Sequence, residues 1–184
     1  MPTFIILGII VVFIFIAIGT YNNLAKLKIN VDDGFSTMDV YLKKRYDLIP
    51  NLVESIKGYE AYESNTLKEI VAARQQALSA GSPNEVIAAN QSLSAGIGKL
   101  FSLAVYFPVL KALSSYLDFM ETLGEVEDDI ANARLYYNGN VKIFNKAIVV
   151  FPTVLFAGML GYKAYDFFEA TSSERENVKV NFRT

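Results

Sequence analysis

Arg45, Glu63, Arg74, Glu127 and Arg134 are the residues whose type and placement could do chemistry. Each falls on or beside a stripe of apolar residues that repeats about every three and a half positions. Charges placed so inside a helical bundle could hold a metal, bind a ligand or move a proton. Di-iron carboxylate bundles do this with a Glu-x-x-His pair from each of two helices. The chain has no histidine, and it lacks a carboxylate cluster at i, i+3 contributed by two pairs of helices. Glu127 and Arg134 stand two helical turns apart, so each is expected to meet another helix rather than the other. The competing role is structural. Buried or half-buried ion pairs from Arg45, Arg74, Glu127 and Arg134 would fix which helices meet and in what register. The sequence favours that role, with no catalytic, cofactor or metal residue assigned.

Composition removes further classes. The absent histidines exclude His-ligated zinc, haem and the Ser-His-Asp triad. With no cysteine there are no disulfides, thiol nucleophiles or cysteine-linked lipid anchors. Net charge is -2, so no global basic field exists to attract nucleic acid. Hydrophobic residues are 52% and charged residues 20% of 184, which excludes a disordered polyelectrolyte. No Gly-x-Gly-x-x-Gly or P-loop pattern occurs. The run Leu42 to Asp47 could meet lipid headgroups, but Asp39 and Asp47 beside it favour a solvated face. Tyr41, Tyr46, Tyr59, Tyr62, Tyr136 and Tyr137 suit half-buried positions with the hydroxyl outward.

The elements that would position these residues are helices. Leu24, Val31, Met38 and Arg45 recur every seven residues. Leu42, Ile49, Ile56, Glu63, Ile70 and Ala77 continue, interleaved with Leu52, Tyr59 and Thr66. Val86, Leu93, Leu100 and Phe107 form a second seam with Asn90, Ile97 and Ala104. A third runs through Leu113, Met120, Glu127, Arg134, Val141 and Ile148, with Tyr116, Leu123, Ile130, Tyr137 and Phe144 between. Such spacing predicts antiparallel helices packed lengthwise, as in a coiled coil. Pro50 is expected to kink the first long helix or start a new one near Leu48. Leu78 to Glu85 reads as a loop, with Ser82 as N-cap and Pro83 at the first helical position. Asn138-Gly139 is kept within a helix, and a corner is expected at Pro108. Val149 to Tyr162 is apolar but broken by Pro152, Gly158 and Gly161. It predicts a short helix docked on the bundle end or lying at the membrane face. "VKVNF" in the polar tail could form a short strand.

No charged side chain precedes Lys26. From Phe4 to Ile18 every residue but Gly8 is aliphatic or aromatic. Roughly 20 such residues span a bilayer core as a helix. A cleaved signal peptide would carry a basic start, a shorter apolar centre and a small-x-small site. The length and bulk of the run favour a retained anchor. Lys26 and Lys28, then Lys43, Lys44 and Arg45, follow the span, and no Lys or Arg precedes it. That asymmetry predicts a short N-terminus outside and a cytoplasmic body.

"YNNL" at Tyr21 to Leu24, "DVYLKKRYDLIPNLVESIKGY" at Asp39 to Tyr59, "ARLYYNGNVKIFN" at Ala133 to Asn145 and "GYKAYDFFE" at Gly161 to Glu169 resemble the LemA family. The resemblance runs from about Tyr21 to Glu169. It implies a prokaryotic inner-membrane protein with an N-terminal anchor and an antiparallel helical body. It implies no enzymatic activity, and as a companion a membrane metalloprotease of the HtpX type. Against the family pattern, Val105, Val109 and Leu113 occupy normally polar positions, and Phe35 stands where tryptophan is common. One helix corner is thereby made more apolar.

The expected fold is all-α. A transmembrane anchor at 1–25 precedes an antiparallel bundle of three to four long helices at 26–170 and a polar tail at 171–184. The expected function is a non-catalytic membrane scaffold that binds lipid or partners and assembles with itself. Val105, Val109, Leu113, Phe151 and Phe156 are the assembly candidates, at two separate apolar ends. Contacts between unlike ends close into rings or extend as filaments. Two other readings are a ligand-binding or enzymatic protein with a polar pocket in the bundle, and a membrane-remodelling protein.

Overall fold

The computed structural model describes residues 2–56, 64–104 and 114–169. They form α1 (Pro2–Ile56), α2 (Ser64–Ser79), α3 (Pro83–Ala104), α4 (Ser114–Val149) and α5 (Thr153–Met159). No strand occurs among the described residues. The expectations at Val105, Val109, Leu113 and the Pro108 corner fall outside them. So do Tyr59, Tyr62, Glu63 and the tail strand.

The chain divides into two compact units, one of Met1–Met38 with Asn132–Phe167, the other of Asp39–Ala131 with Phe168–Thr184. In the first, Leu24, Val31 and Met38 of α1 are buried, as are Ala133, Tyr137, Val141 and Phe144 of α4. All but Ala133 are positions that the seven-residue spacing selects. Fully burying one such large side chain contributes about 1.5 to 3 kcal/mol. From Tyr137 beside Gly34, α4 leads on to Phe156 beside Phe13, so it runs toward the N-terminus of α1. A Cβ on Gly34 would lie 3.1 Å from the Tyr137 Cα, so a larger residue there would push the two backbones apart by a few tenths of an ångström. Asn138 and Gly139 lie within α4 as expected.

The second unit packs the rest of α1 and α4 with α2 and α3. Leu42, Ile49 and Leu52 are buried from α1, Ile70 and Ala77 from α2, Leu93 and Leu100 from α3, and Leu123 and Ile130 from α4. The α2–α3 turn follows its sequence signals. Ser82 Oγ accepts the Glu85 amide at 3.4 Å, Pro83 opens α3, and Glu85 Oε2 accepts the Gly81 amide at 2.8 Å. These bonds satisfy amides that a helix start leaves without partners.

Of the two expectations for Pro50, a kink or a new helix near Leu48, the new helix does not occur. Helix α1 continues through it to Ile56. Proline removes one amide donor and so strands the carbonyl four residues earlier. That carbonyl belongs to Tyr46, and it accepts a hydrogen bond from Arg74 Nε at 2.7 Å.

Candidate functional site

Two regions hold the candidate residues. In the second unit Arg45 is buried on α1, a position that an arginine tolerates only with partners. Its Nε lies 2.8 Å from Glu127 Oε1 of α4, and its NH1 donates to Ser94 Oγ of α3 at 3.0 Å. One α1 side chain therefore ties two other helices. Beside it, buried Asn90 donates to Tyr46 Oη and, at 2.9 Å, to the Val86 carbonyl. Burial raises the Tyr46 pKa, against the opposing effect of the Asn90 bond. Lys44–Asp129 at 4.0 Å and Lys99–Glu69 at 2.9 Å add exposed pairs.

An open cleft of about 280 Å³ borders this cluster, lined by Arg45, Ser94, Ile97, Phe101, Leu123 and Glu127. Its polar groups bond one another. The Arg45 guanidinium lies against the Glu127 carboxylate and donates to the Ser94 hydroxyl. Arg45 and Glu127 are thus brought together, while Arg74 goes to a backbone carbonyl. Arg134 falls in the first unit, half-buried. Ser94 and Glu69 escaped the sequence reading because nothing about a surface-type residue on a helix announces a partner thirty or more positions away. Asn90 did carry a signal, an amide on an apolar seam.

The first unit holds a polar network around the chain after α5. Tyr137 Oη donates to the Asp166 carbonyl at 3.0 Å. Asn145 donates to the Tyr165 carbonyl at 2.8 Å and accepts the Tyr165 amide at 2.9 Å. Tyr165 Oη donates to Asp32 at 3.3 Å, and Lys28 pairs with the same carboxylate at 2.6 Å. The Asp32 bond holds the Lys28 pKa up. Burial, then the neighbouring Tyr165, Asp166 and Asp32, push Tyr137 up to about 12.

The same unit carries the apolar surface. None of the most apolar stretch of α1 is buried, and it is long enough to cross a membrane. Phe4, Phe13 and Phe15 are 79%, 58% and 71% exposed. Helix α5 meets this stretch, with the Phe156 ring 5.8 Å from that of Phe13. Phe151 is 80% exposed and Phe156 half-buried.

The LemA family model matches residues 34–182. Protein LemA of Metamycoplasma hominis is 26% identical over 174 residues, which cover 92% of this chain and 78% of that protein. Magnetosome protein MamQ 2 of Paramagnetospirillum magneticum is 23% identical, covering 87% of this chain and 68% of the relative. MamQ of Magnetospirillum gryphiswaldense is 23% identical over 86% of this chain and 68% of its own length. The apolar α1 segment and these relatives describe a membrane-associated helical protein, and the chain belongs to the LemA family.

Proposed function

We propose that this protein is a membrane-anchored helical scaffold that assembles with itself and gathers lipid or partners at the membrane, without catalysis. The observation that carries the reading is the apolar stretch of α1, none of it buried, continuous with the helix that supplies Leu24, Val31, Met38 and Leu42 to the packed units. Anchor and body share one helix, so the body is held close to the bilayer. The pairing of Arg45 with Glu127 and Ser94 supports a structural cluster over a ligand pocket.

The membrane is the inner, plasma membrane, and the body is cytoplasmic, as Lys26 and Lys28 after the span favour. A membrane metalloprotease of the HtpX type is a candidate partner, and nucleic acid is not one. A reporter active only in the cytoplasm, fused to Thr184, gives signal on this reading. Signal only from an exported reporter reverses the orientation. Light scattering in mild detergent gives a mass of two or more chains, and a monomer at micromolar concentration removes self-assembly.

A further inference from the structure

The apolar surface of the first unit does not end with α1. Between Lys146 and Lys163 no charged side chain occurs. Within that stretch Val149, Phe151, Leu155 and Met159 are 68%, 80%, 56% and 86% exposed. So much contiguous exposed apolar surface calls for a cover.

Register shows where this stretch lies. Gly34 faces Tyr137. Stepping nine residues forward on α4 and nine back on α1 sets Lys146 level with Ala25, beside Lys26 at the end of the span. Val149 then stands level with Asn22. Helix α5 turns 97° from α4, and its Phe156 reaches Phe13, nine residues deeper along the apolar stretch than Asn22. At about 1.5 Å per residue that places the Phe156 ring on the order of 10 Å past the end of α4. The chain then returns: Tyr162 meets Phe144 at 5.8 Å, and Tyr165 reaches Asp32. Lys26, Lys146 and Lys163 are all exposed and bracket the descent, where their ammonium groups can reach headgroups.

We propose that Val149–Tyr162 is a half-depth membrane hairpin, with α5 lying in the acyl chains of the leaflet next to the body, beside the anchor. The proposal rests on the membrane-anchored reading. Backbone bonding fits it, because amides in lipid must be satisfied internally. Val154 N–H donates to the Val150 carbonyl at 2.8 Å, Leu155 to Pro152 at 3.2 Å, and Leu160 to Phe156 at 2.9 Å. Tyr162 N–H returns to Ala157 at 3.0 Å across Gly161, whose φ of +73° favours glycine. Pro152 has no amide to satisfy. A helix floating at the headgroups would carry a charged face. Helix α5, Thr-Val-Leu-Phe-Ala-Gly-Met, has none. A second copy is the weaker occupant, since it would have to reach α5 alongside an anchor that lipid already surrounds.

The chain has no cysteine, so single cysteines report cleanly. The full-length Ile10→Cys, Met159→Cys, Phe151→Cys and Leu135→Cys variants, each carrying a small fluorophore, are reconstituted into phosphatidylcholine–phosphatidylglycerol vesicles containing acyl-chain nitroxide lipids. Quenching at Met159→Cys and Phe151→Cys within about twofold of Ile10→Cys, and several-fold above Leu135→Cys, supports the hairpin. If Ile10→Cys is quenched while both hairpin positions match Leu135→Cys, the hairpin fails and the anchor stands. If Ile10→Cys is not quenched either, both fail. Efficient Met159→Cys cross-links between copies, without lipid quenching, assign α5 to self-contact and overturn the proposal.

Discussion

Arg74 Nε donates at 2.7 Å to the carbonyl of Tyr46, the acceptor that Pro50 deprives of its helical donor. An α2 side chain thus repairs a gap in α1, and the repair also pins α2 at one height on α1. Arg74→Ala should destabilise the protein by about 1 to 3 kcal/mol, because a part-buried carbonyl loses its partner. In a Pro50→Ala background the residue-50 amide can serve that carbonyl, and the Arg74 change should cost at least about 1 kcal/mol less. Denaturant unfolding of the four variants in detergent measures the coupling. Additive losses would show that Arg74 acts by packing alone.

Glu127 is the exposed half of its pair, and Arg45 the buried half, with side chains 36% and 4% exposed. Removing Glu127 therefore leaves a guanidinium in the core with Ser94 near it. Glu127→Ala should cost about 1 to 4 kcal/mol, and Glu127→Gln less, since its oxygen still accepts. Replacing both partners, Arg45→Leu with Glu127→Leu, should cost less than Glu127→Ala. A double variant less stable than the single one would count against pairing as the purpose of these residues.

Tyr137 supplies a pH dependence. Its pKa is about 12 in the folded protein, above the ordinary value of 10.0. The folded state holds this proton more tightly than the unfolded chain. Its contribution is complete below pH 10 and is lost as pH rises toward 12, by about 1 to 3 kcal/mol. Tyr137→Phe removes this group's share of the alkaline loss and also the bond to the Asp166 carbonyl. Stability measured from pH 8 to 12 should fall less steeply in the variant. Parallel curves would mean that Tyr137 ionises without strain.

The helical seams were legible because burial follows the seven-residue spacing almost residue by residue, from Leu24 to Met38 and from Leu123 to Phe144. The Ser82–Pro83 turn was legible because capping is local chemistry. The helix start expected near Leu48 does not occur, and the donor that compensates Pro50 lies on another helix. Local rules describe the loss of an amide and cannot see Arg74. The Arg45–Glu127 pair was legible as a charge on each seam, but its registration with Ser94 needed three helices in place. The apolar stretch around α5 was visible as composition. Its apposition to Phe13 was not, because Pro152 and Gly161 mark turns without stating where the chain goes.

Asn145 makes the testable joint of the first unit. Its side-chain amide both donates to the Tyr165 carbonyl and accepts the Tyr165 amide, at 2.8 and 2.9 Å, as a paired strand would. This fixes the chain just after Lys163 against α4, and Tyr165 carries the restraint on to Asp32 of α1. Asn145→Asp keeps the acceptor and loses the donor, setting a carboxylate against the Tyr165 carbonyl. Asn145→Leu keeps the bulk and loses both bonds. Each should release the segment from 162 to 168 with little effect on α1 or α4, which keep their own buried residues such as Leu24, Val31 and Val141. Hydrogen exchange should then speed up at the Tyr165 amide by tenfold or more, as befits loss of about 1.5 kcal/mol of local protection. Exchange unchanged at Tyr165 in Asn145→Leu would mean that the Phe144–Tyr165 ring contact, at 5.2 Å, holds the segment by itself.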